Sequence, residues 1–460
     1  MEKYELIEGD LFNMNKQEQW TSKLGFILAA AGSAIGLGAI WKFPYVAGTN
    51  GGAVFFLIFI VFTVLIGTPI LIAEFVIGRS TQKDAVSSYR QLAPGSAWQL
   101  LGYLGVVASI ILLSFYSVVG GWILSYLWRS ITGAFSGLSP TGYVDLFNHT
   151  IGNTTEVIIA QFIFLLITIW VVQGGIQKGI EKANKYLMPA LFILFIILAI
   201  RSITLDGALE GVSFLLKPDF SSVTGETFLL ALGQSFFALS VGISVMVTYA
   251  SYLAKTENMM KSAFSVVGLN ILISLLAGLV IFPAVFALGF EPGEGPGLVF
   301  VVLPAVFNEI AYGGLFLTIF LILLLFATLT SAFSILEIVV AASVKNEAGK
   351  RKKATWLAGI LIFIVGVPSA LSFGSLADIS IFNKSIFDFA DFLVSNISLQ
   401  LGAFFISLFI GYRMPRQMVK EELNLGTHGL GTLFDIWYFT IRYIVPVGII
   451  FVFLNSIGIF

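Results

Sequence analysis

The chain of 460 residues contains no cysteine, only two histidines and few charged residues. The absence of cysteine excludes disulfides, thiolate metal sites and cysteine nucleophiles. His149 and His428 lie in predicted loops, so the sequence offers little for a histidine-based catalytic or metal site. Charged residues make up 11% of the chain, against about 25% in a typical soluble domain. The net charge of −1 indicates no general attraction to nucleic acid.

Long apolar segments take the place of the missing charge. Hydrophobic residues make up 57% of the chain, and the mean hydropathy is +0.95. A helix needs about 20 apolar residues to cross the hydrocarbon core of a bilayer. Eleven such segments are predicted, at 23–48, 53–78, 98–128, 156–173, 184–204, 227–254, 259–290, 313–345, 354–373, 385–411 and 433–459. The sequence therefore predicts an all-α polytopic membrane protein.

The basic residues predict which side of the membrane each loop faces. With the N-terminus inside, 19 of the 25 Lys and Arg residues fall on the cytoplasmic side and 4 on the outer side. This distribution follows the positive-inside rule, under which cytoplasmic loops carry most of the basic residues. We therefore expect a multi-pass protein of the plasma membrane with a cytoplasmic N-terminus and, after eleven spans, an extracellular C-terminus.

Two of the predicted spans are interrupted at their centres. The first carries GSAIGLG at 32–38, and the sixth carries ALSVGIS at 238–244. Backbone groups freed by a break cannot stay unpaired in hydrocarbon, so they must meet protein, water or ligand. Close helix packing through Gly32 and Gly36 is an alternative explanation for the first break. Paired breaks five spans apart favour instead the inverted-repeat transporter pattern.

Several long motifs, in order along the chain, resemble those of one transporter family. They are GSAIGLGAIWKFPYVAGTNGGAVF, PILIAEFVIGR, KGIEKANKYLMPALFI, KPDF, GQSFFALSVG, TYASYL, PGLVFVVLP and TLTSAFSILE. Through them the chain resembles the neurotransmitter:sodium symporters, in particular the eleven-span bacterial amino-acid branch. The resemblance implies a 5+5 inverted-repeat fold and sodium-driven uptake of an amino acid by alternating access. It also implies Na+, a small amino-acid substrate and the lipid bilayer as partners of a monomer or weak dimer.

The repeats divide the chain into consecutive parts. The predicted parts are a cytoplasmic segment at 1–22, a first repeat of helices 1–5 at 23–204, an extracellular loop at 205–226, a second repeat of helices 6–10 at 227–411 with an extracellular lid loop at 291–312, and a cytoplasmic loop with helix 11 at 412–460. The lid segment is too broken by Pro and Gly to span a membrane.

The resemblance implies two sodium sites, of which the second matches well. Its implied ligands are the carbonyls of Gly32, Ile35 and Ala327 and the hydroxyls of Thr330 and Ser331. Neutral oxygens of this kind suit a monovalent cation that must leave again. The alternative is that the two hydroxyls only bond carbonyls of their own helix, as buried Ser and Thr often do.

The first sodium site departs from the family pattern. Asn270 is retained, with the backbone positions Ala34 and Ala238, but Ala39 stands where the family has an asparagine. Ala238 also replaces a hydroxyl, and Phe59 replaces a tyrosine that helps hold chloride. We therefore predict one coupled sodium ion, at the second site, and no requirement for chloride. Coupling to two sodium ions is the alternative.

The resemblance also implies an amino-acid site at the breaks. The N–H groups of Gly36, Leu37 and Gly38 and the Tyr116 hydroxyl are implied to meet the substrate carboxylate, and nearby carbonyls its amino group. Monoamine members carry an aspartate at the position of Gly36, so this chain favours a substrate with its own carboxylate. The complete implied set is Ala34, Gly36, Leu37, Gly38, Leu112, Tyr116, Phe237, Ser240, Ile243, Ser331 and Ile335. Its apolar walls favour Leu, Ile, Val, Met or an aromatic amino acid.

Residues on both sides of this site are implied to act as gates. Outside, Lys42 is expected to pair with Asp391 above Phe237. The alternative is that both charges simply extend to interfacial water. Inside, Trp20 and Tyr252 match the family's inner gate.

The inner ion pair of the family is missing from the sequence. Gln17 and Lys345 stand where the family has a basic and an acidic residue. Lys345 is a candidate partner for Glu18 instead, and packing of Trp20 is the alternative means of closure.

Gly179 and Pro189 flank the start of the fifth predicted span. Proline removes a helix hydrogen bond, and glycine eases unwinding. In related transporters this spacing lets the fifth helix unwind and hydrate the second sodium ion. An ordinary helix kink is the alternative.

Three other classes compete with a transporter. An enzyme is not expected, because no metal cluster or nucleophile motif surrounds the acids in or near the spans, and Glu74 and Glu337 are better interpreted as helix anchors. A channel is disfavoured, since it needs a continuous pore rather than one midplane site closed on both sides. A receptor of the same fold, which binds an amino acid without transporting it, is the remaining alternative.

Overall fold

The computed structural model describes residues 18–289, 297–344, 348–427 and 429–459. The predictions for residues 1–17, for 291–296 of the lid loop, and for Lys345 and His428 lie outside these residues.

The described chain is almost entirely helical. In order, its helices are α1 Lys23–Ala34, α2 Gly38–Thr49, α3 Ala53–Thr81, α4 Ala85–Leu92, α5 Gln99–Ile131, α6 Pro140–Gly152, α7 Thr154–Val172, α8 Ile176–Ile203, α9 Ala208–Leu216, α10 Gly225–Ala238, α11 Val245–Ser251, α12 Met259–Ala287, α13 Leu298–Asn308, α14 Gly313–Val344, α15 Arg351–Ala370, α16 Ile386–Arg413, α17 Arg416–Asn424 and α18 Thr432–Ser456. Short 3₁₀ turns cover Phe220–Ser222 and Ala348–Lys350. One small antiparallel hairpin pairs β1 Ser380–Ile381 with β2 Lys384–Ser385.

The long helices of the described residues account for the predicted membrane spans. Nine are long and apolar enough to cross a bilayer, and α1 with α2 forms a tenth that bends by 53° at its break. The remaining predicted span, the sixth, consists of α10 and α11, each too short to cross alone. Helix α13 is also too short to span, as expected for the lid loop. The all-α membrane fold is therefore confirmed.

Burial separates an enclosed interior from a surface that suits lipid. Outward faces expose large apolar side chains such as Leu57, Trp170 and Ile193. Helix α14 is the most enclosed of the nine long spans and packs along α1, α5 and α8. Hydroxyl groups on α14 therefore meet other helices rather than lipid.

Glycines in the first break allow neighbouring groups to approach the main chain closely. Helix α1 ends at Ala34, within the predicted interruption. A Cβ atom on Gly36 would lie 2.4 Å from the Ser331 hydroxyl, and one on Gly38 would lie 2.7 Å from the Phe237 ring. No side chain larger than hydrogen fits at these two positions without displacing its neighbour.

The second break falls where the sequence predicts it, between Ala238 and Val245. Its backbone turns through Ser240, Gly242 and Ser244, whose φ angles are 52°, 102° and 63°. Left-handed conformations of this kind are unfavourable for most residues and cannot continue an α-helix. The span is therefore divided by its own backbone geometry.

The buried carboxylate of Glu74, on α3, holds the second break. It accepts hydrogen bonds from the N–H groups of Gly242, Met246 and Val247 at 2.6, 3.0 and 3.2 Å. These are donors that the interrupted helix cannot satisfy itself. Glu74 is thus the helix anchor that its position in a span predicts.

The predicted hinge lies in a continuous helix. Helix α8 begins with a π-helical turn, Ile176–Glu181, which contains Gly179. A Cβ atom on Gly179 would lie 2.1 Å from the Val171 carbonyl oxygen, so glycine is needed there for packing. Pro189 lies inside the helix. The unwinding of this segment stays a prediction.

Candidate functional site

The two breaks, together with α5, α14 and α16, enclose one cavity. All eleven residues of the predicted substrate set line it. Its lining residues are Ser33, Ala34, Gly36, Leu37, Gly38, Leu112, Tyr116, Phe237, Ser240, Ile243, Val245, Ser331, Ile335 and Leu399. Ser33, Val245 and Leu399 are additional to the predicted set. Ser33 lies within the first predicted break and Val245 directly follows the second, whereas Leu399 lies on α16 in a sequence pattern that carries no signal of binding.

One group of lining atoms consists of hydrogen-bond donors. The N–H of Leu37 donates to the Tyr116 hydroxyl at 3.4 Å. This N–H lies at the start of α2, where first-turn N–H groups lack partners within the helix and favour an anion. No acidic side chain is among the described residues that line the cavity. An anionic group of a ligand therefore meets donors and no fixed negative charge.

A second group of lining atoms consists of acceptors. The Ser33 carbonyl accepts hydrogen bonds from the hydroxyls of Ser240 and Ser331, both at 3.0 Å. The Phe237 carbonyl accepts the N–H of Ser240 at 3.1 Å. Hydroxyl groups can turn away from such carbonyls, which leaves acceptors for an ammonium group.

Residues predicted for the second sodium site meet between α1 and α14. The Thr330 hydroxyl donates to the carbonyls of Gly32 at 3.0 Å and Ala327 at 2.9 Å. The Ser331 hydroxyl lies 3.2 Å from the same Gly32 oxygen. Ile35 is fully buried in the break that follows α1. The hydroxyls therefore bridge two helices rather than bonding only to their own, and this set of neutral oxygens fits a small monovalent cation.

The residues predicted for the first sodium site also meet, but the Asn270 amide donates to both of its carbonyls. The Asn270 side-chain nitrogen donates to the Ala238 carbonyl at 2.8 Å and to the Ala34 carbonyl at 3.4 Å. Ala39 is fully buried and brings no oxygen atom on its side chain. Two of the carbonyl ligands predicted for an ion thus already have a donor.

The outer gate residues share a larger cavity of about 330 Å³ but are not joined in it. The Lys42 ammonium lies 4.4 Å from the centre of the Phe237 ring. Asp391 accepts a hydrogen bond from the Ser395 hydroxyl at 2.7 Å. The ion pairs among the described residues do not include Lys42 with Asp391. Their pairing stays a prediction for a closed state.

On the inner side, a buried ion pair supports the predicted aromatic gate. The Trp20 indole donates to the Tyr249 carbonyl at 2.9 Å, and the Tyr252 hydroxyl donates to Glu337 at 2.7 Å. Arg351 also donates to Glu337, at 3.1 Å through Nη1 and through a second contact from Nη2. The role of Arg351 was not predicted from the sequence. The one indication was that a basic residue stands at the start of a span while an acid in the preceding span, Glu337, has no partner nearby in the sequence.

The segment before α1 is fastened to the start of α8. The Glu18 carboxylate accepts the N–H of Ile176 at 2.6 Å. The Glu181 carboxylate accepts the N–H of Thr21 at 2.8 Å. Because Lys345 lies outside the described residues, its pairing with Glu18 is untested. These two carboxylates thus join the segment before α1 to the start of α8.

Comparison with known proteins agrees with this geometry. The chain matches the sodium:neurotransmitter symporter family over residues 17–139 and 142–460. It is 54% identical over 444 residues to the uncharacterized sodium-dependent transporter YhdH of Bacillus subtilis, covering 96% of this chain and 98% of that one. It is 38% identical over 458 residues to an uncharacterized sodium-dependent transporter of Haemophilus influenzae, covering 96% and 99% of the two chains.

A solved structure has the same fold. The crystal structure of MhsT in complex with L-phenylalanine superposes with a TM-score of 0.88 at 46% sequence identity. The match covers 96% of this chain and 100% of that one.

Proposed function

We propose a specific function for this chain, which belongs to the sodium:neurotransmitter symporter family and is a sodium-dependent membrane transporter rather than an enzyme. It imports a hydrophobic or aromatic amino acid with one sodium ion. The observation that carries this proposal is the cavity at the breaks. Among its described lining residues it combines main-chain donors and acceptors with apolar walls and no acidic side chain.

The proposed substrate follows from the lining. The carboxylate is assigned to the N–H groups of Gly36, Leu37 and Gly38 with the Tyr116 hydroxyl. A monoamine lacks a carboxylate, so it would leave these donors unpaired, at a cost of about 1–3 kcal/mol for each buried group. The walls formed by Leu112, Phe237, Ile243, Ile335, Val245 and Leu399 favour a large apolar side chain. The binding of L-phenylalanine by the relative MhsT supports this choice.

A single coupled sodium ion is assigned to the second site. Support comes from the Asn270 amide, whose hydrogen atoms point at the carbonyls that a first ion would use. One ion moving through 100 mV provides about 2.3 kcal/mol. A tenfold sodium gradient adds about 1.4 kcal/mol. Together these support roughly 500-fold accumulation of a neutral zwitterion.

Independence from chloride is part of the same proposal. The family resemblance implies Gln234 and Ser274 as groups at the chloride position. The Gln234 amide donates to the Gly38 carbonyl at 2.8 Å, and the Ser274 hydroxyl donates to the Asn270 carbonyl at 3.0 Å. The donors that an anion would need thus have main-chain partners, and Phe59 offers none.

Alternating access is proposed between the two repeats, 23–204 and 227–411, in the plasma membrane with the N-terminus cytoplasmic. Outer closure is assigned to Lys42 and Asp391 over Phe237. Inner closure is assigned to Trp20 and Tyr252, which the Glu337–Arg351 pair supports. Sodium release to the cytoplasm is assigned to unwinding of α8 between Gly179 and Pro189.

The test is uptake by purified protein in proteoliposomes with an imposed sodium gradient. Labelled phenylalanine and leucine are expected to accumulate, and dopamine is not. Replacing chloride by gluconate is expected to leave uptake unchanged, and the ratio of ²²Na to substrate flux is expected to be one.

Each alternative has its own result in the same experiment. Saturable binding without accumulation identifies a receptor, and a flux ratio of two identifies a symporter coupled to two sodium ions. Flux that does not saturate identifies a channel.

A further inference from the structure

Helix α8 carries a buried polar side chain whose oxygen has no protein partner. Asn184 is fully buried and lies midway between Gly179 and Pro189. Its side-chain nitrogen donates to the Ile180 carbonyl at 2.9 Å. Its side-chain oxygen, Oδ1, accepts no hydrogen bond from the described residues. A buried acceptor without a partner is unfavourable, and a bound cation would satisfy it.

The orientation of this amide follows from its nitrogen. Reversing the amide would place Oδ1 against the Ile180 carbonyl oxygen, and two acceptors repel each other. The oxygen therefore points away from the main chain of α8.

Oδ1 lies beside Gly32, one of the residues assigned to the second sodium site. A Cβ atom built on Gly32 would lie 2.5 Å from Oδ1 of Asn184 and 3.1 Å from Cβ of Thr330. Gly32 and Thr330 supply two of the oxygens assigned to that site. The side-chain oxygen of Asn184 thus meets the α1–α14 contact from the side of α8.

The surroundings favour a cation as its partner. The Thr330 hydroxyl already donates to the carbonyls of Gly32 and Ala327, so it has no proton for Asn184. The Met188 sulfur, which also lies 3.1 Å from this Cβ position on Gly32, is only a weak acceptor. An amide oxygen is a hard ligand of the kind that hard cations take.

We propose that Oδ1 of Asn184 is a further ligand of the sodium ion at the second site and links this ion to α8. The inference rests on the proposed sodium site between α1 and α14. It adds a ligand from the helix that must open when the ion leaves.

Direct sodium binding tests the proposal without transport or substrate. Binding of ²²Na to purified protein in detergent is measured for the wild type and for Asn184→Leu, which keeps the volume and removes the oxygen. The half-saturating sodium concentration is expected to rise about tenfold, which corresponds to about 1.4 kcal/mol, because the ion loses one oxygen ligand. Asn184→Asp keeps an oxygen and adds charge, so it is expected to bind sodium at least as tightly as the wild type.

The matched control is Gln161→Leu on α7. Gln161 is also fully buried and also has a side-chain oxygen without a partner in the described residues, but it lies beside Ser114 and Ser117. Its replacement is expected to leave sodium affinity unchanged. The ratio of lithium to sodium affinity is expected to change in Asn184→Leu only, because a lost ligand alters ion selectivity whereas general loosening weakens both ions alike.

The outcomes separate this inference from the proposed function. Absence of saturable sodium binding in the wild type would refute the proposed sodium site itself. Normal wild-type binding with an unchanged affinity in Asn184→Leu would refute only the role of Asn184. If Asn184→Leu fails to fold, weaker binding by the folded Asp variant would refute it as well.

Discussion

The two breaks resemble each other in sequence but are held in different ways. At the break between α10 and α11, three main-chain N–H groups bind the buried carboxylate of Glu74. At the break between α1 and α2, carbonyls accept hydrogen bonds from neutral hydroxyls of α14, from the hydroxyl of Ser240 in the other break and from the amide of Asn270. The second break is thus held by one buried carboxylate, whereas the first is held by hydroxyl and amide groups, which we propose an ion or a substrate replaces.

This difference assigns different tasks to the two breaks. We expect a carboxylate that accepts three hydrogen bonds to keep the α10–α11 turn in place whether or not ligand is bound. At the α1–α2 break the hydroxyl and amide groups form neutral hydrogen bonds with the carbonyls. Neutral hydrogen bonds are about half as strong as those to an ionised group. We therefore expect stability to depend on the second break and ion affinity to depend on the first.

The largest expected effect is a loss of stability when the Glu74 carboxylate at the second break is removed. Glu74→Leu leaves three buried N–H groups unpaired and is expected to lower the free energy of unfolding by at least about 3 kcal/mol. Thermal unfolding of the purified protein in detergent measures it. Glu74→Gln keeps one acceptor, so its stability is expected to lie between those of the wild type and Glu74→Leu. A wild-type unfolding midpoint in Glu74→Leu would show that this carboxylate does not hold the break.

The next largest expected effect is a loss of sodium affinity at the site proposed beside the first break. Thr330→Val keeps the shape of the side chain and removes a hydroxyl assigned to the second sodium site. The half-saturating sodium concentration for uptake is expected to rise at least tenfold, with the folded protein retained. Thr168→Val is the matched control, since Thr168 is equally buried and bonds only to the Phe164 carbonyl. Equal sodium dependence in both variants would remove Thr330 from the site.

The third prediction concerns a double variant that is designed to restore the first sodium site. Ala39→Asn combined with Ala238→Thr returns the two oxygens that the family pattern has and this chain lacks. The Hill coefficient for sodium-dependent uptake is expected to rise from about one towards two. Ala39→Leu, which adds volume without oxygen, should leave it at one. A coefficient of two in the wild type would contradict the assignment of a single ion.

The smallest effect is expected in α8. Pro189→Ala supplies a main-chain donor to the helix and makes unwinding less favourable. Inward sodium release is expected to slow several-fold, while sodium binding from the outside stays nearly unchanged. Time-resolved ²²Na efflux from proteoliposomes measures it, with Pro368→Ala in α15 as control. Unchanged efflux in Pro189→Ala would favour an ordinary kink.

The sequence predicted the breaks well because they depend on local chemistry. Glycines at 32, 36 and 38, and small or hydroxyl residues at 238–244, mark places where a helix is weak and main chain is accessible. Motif order then predicted the cavity lining, and all eleven predicted residues line one cavity. Leu399 escaped because an apolar residue in an apolar span looks the same whether it faces lipid, protein or ligand.

The partners of the charged and amide groups could not be predicted in the same way. Arg351 binds Glu337 on the other side of a loop. Asn184 lies beside Gly32, although it is about 150 positions further along the chain. Such contacts depend on how helices pack and rotate against each other. Nothing in the residues next to Arg351 or Asn184 specifies that arrangement.

By itself, the sequence determined that this is a helical membrane protein with two interrupted spans, because hydropathy and helix weakness are properties of short segments. Only the tertiary structure decided which groups bind to the exposed main chain. Hydrogen bonds form over about 3 Å, and only packing brings residues from distant helices within that distance.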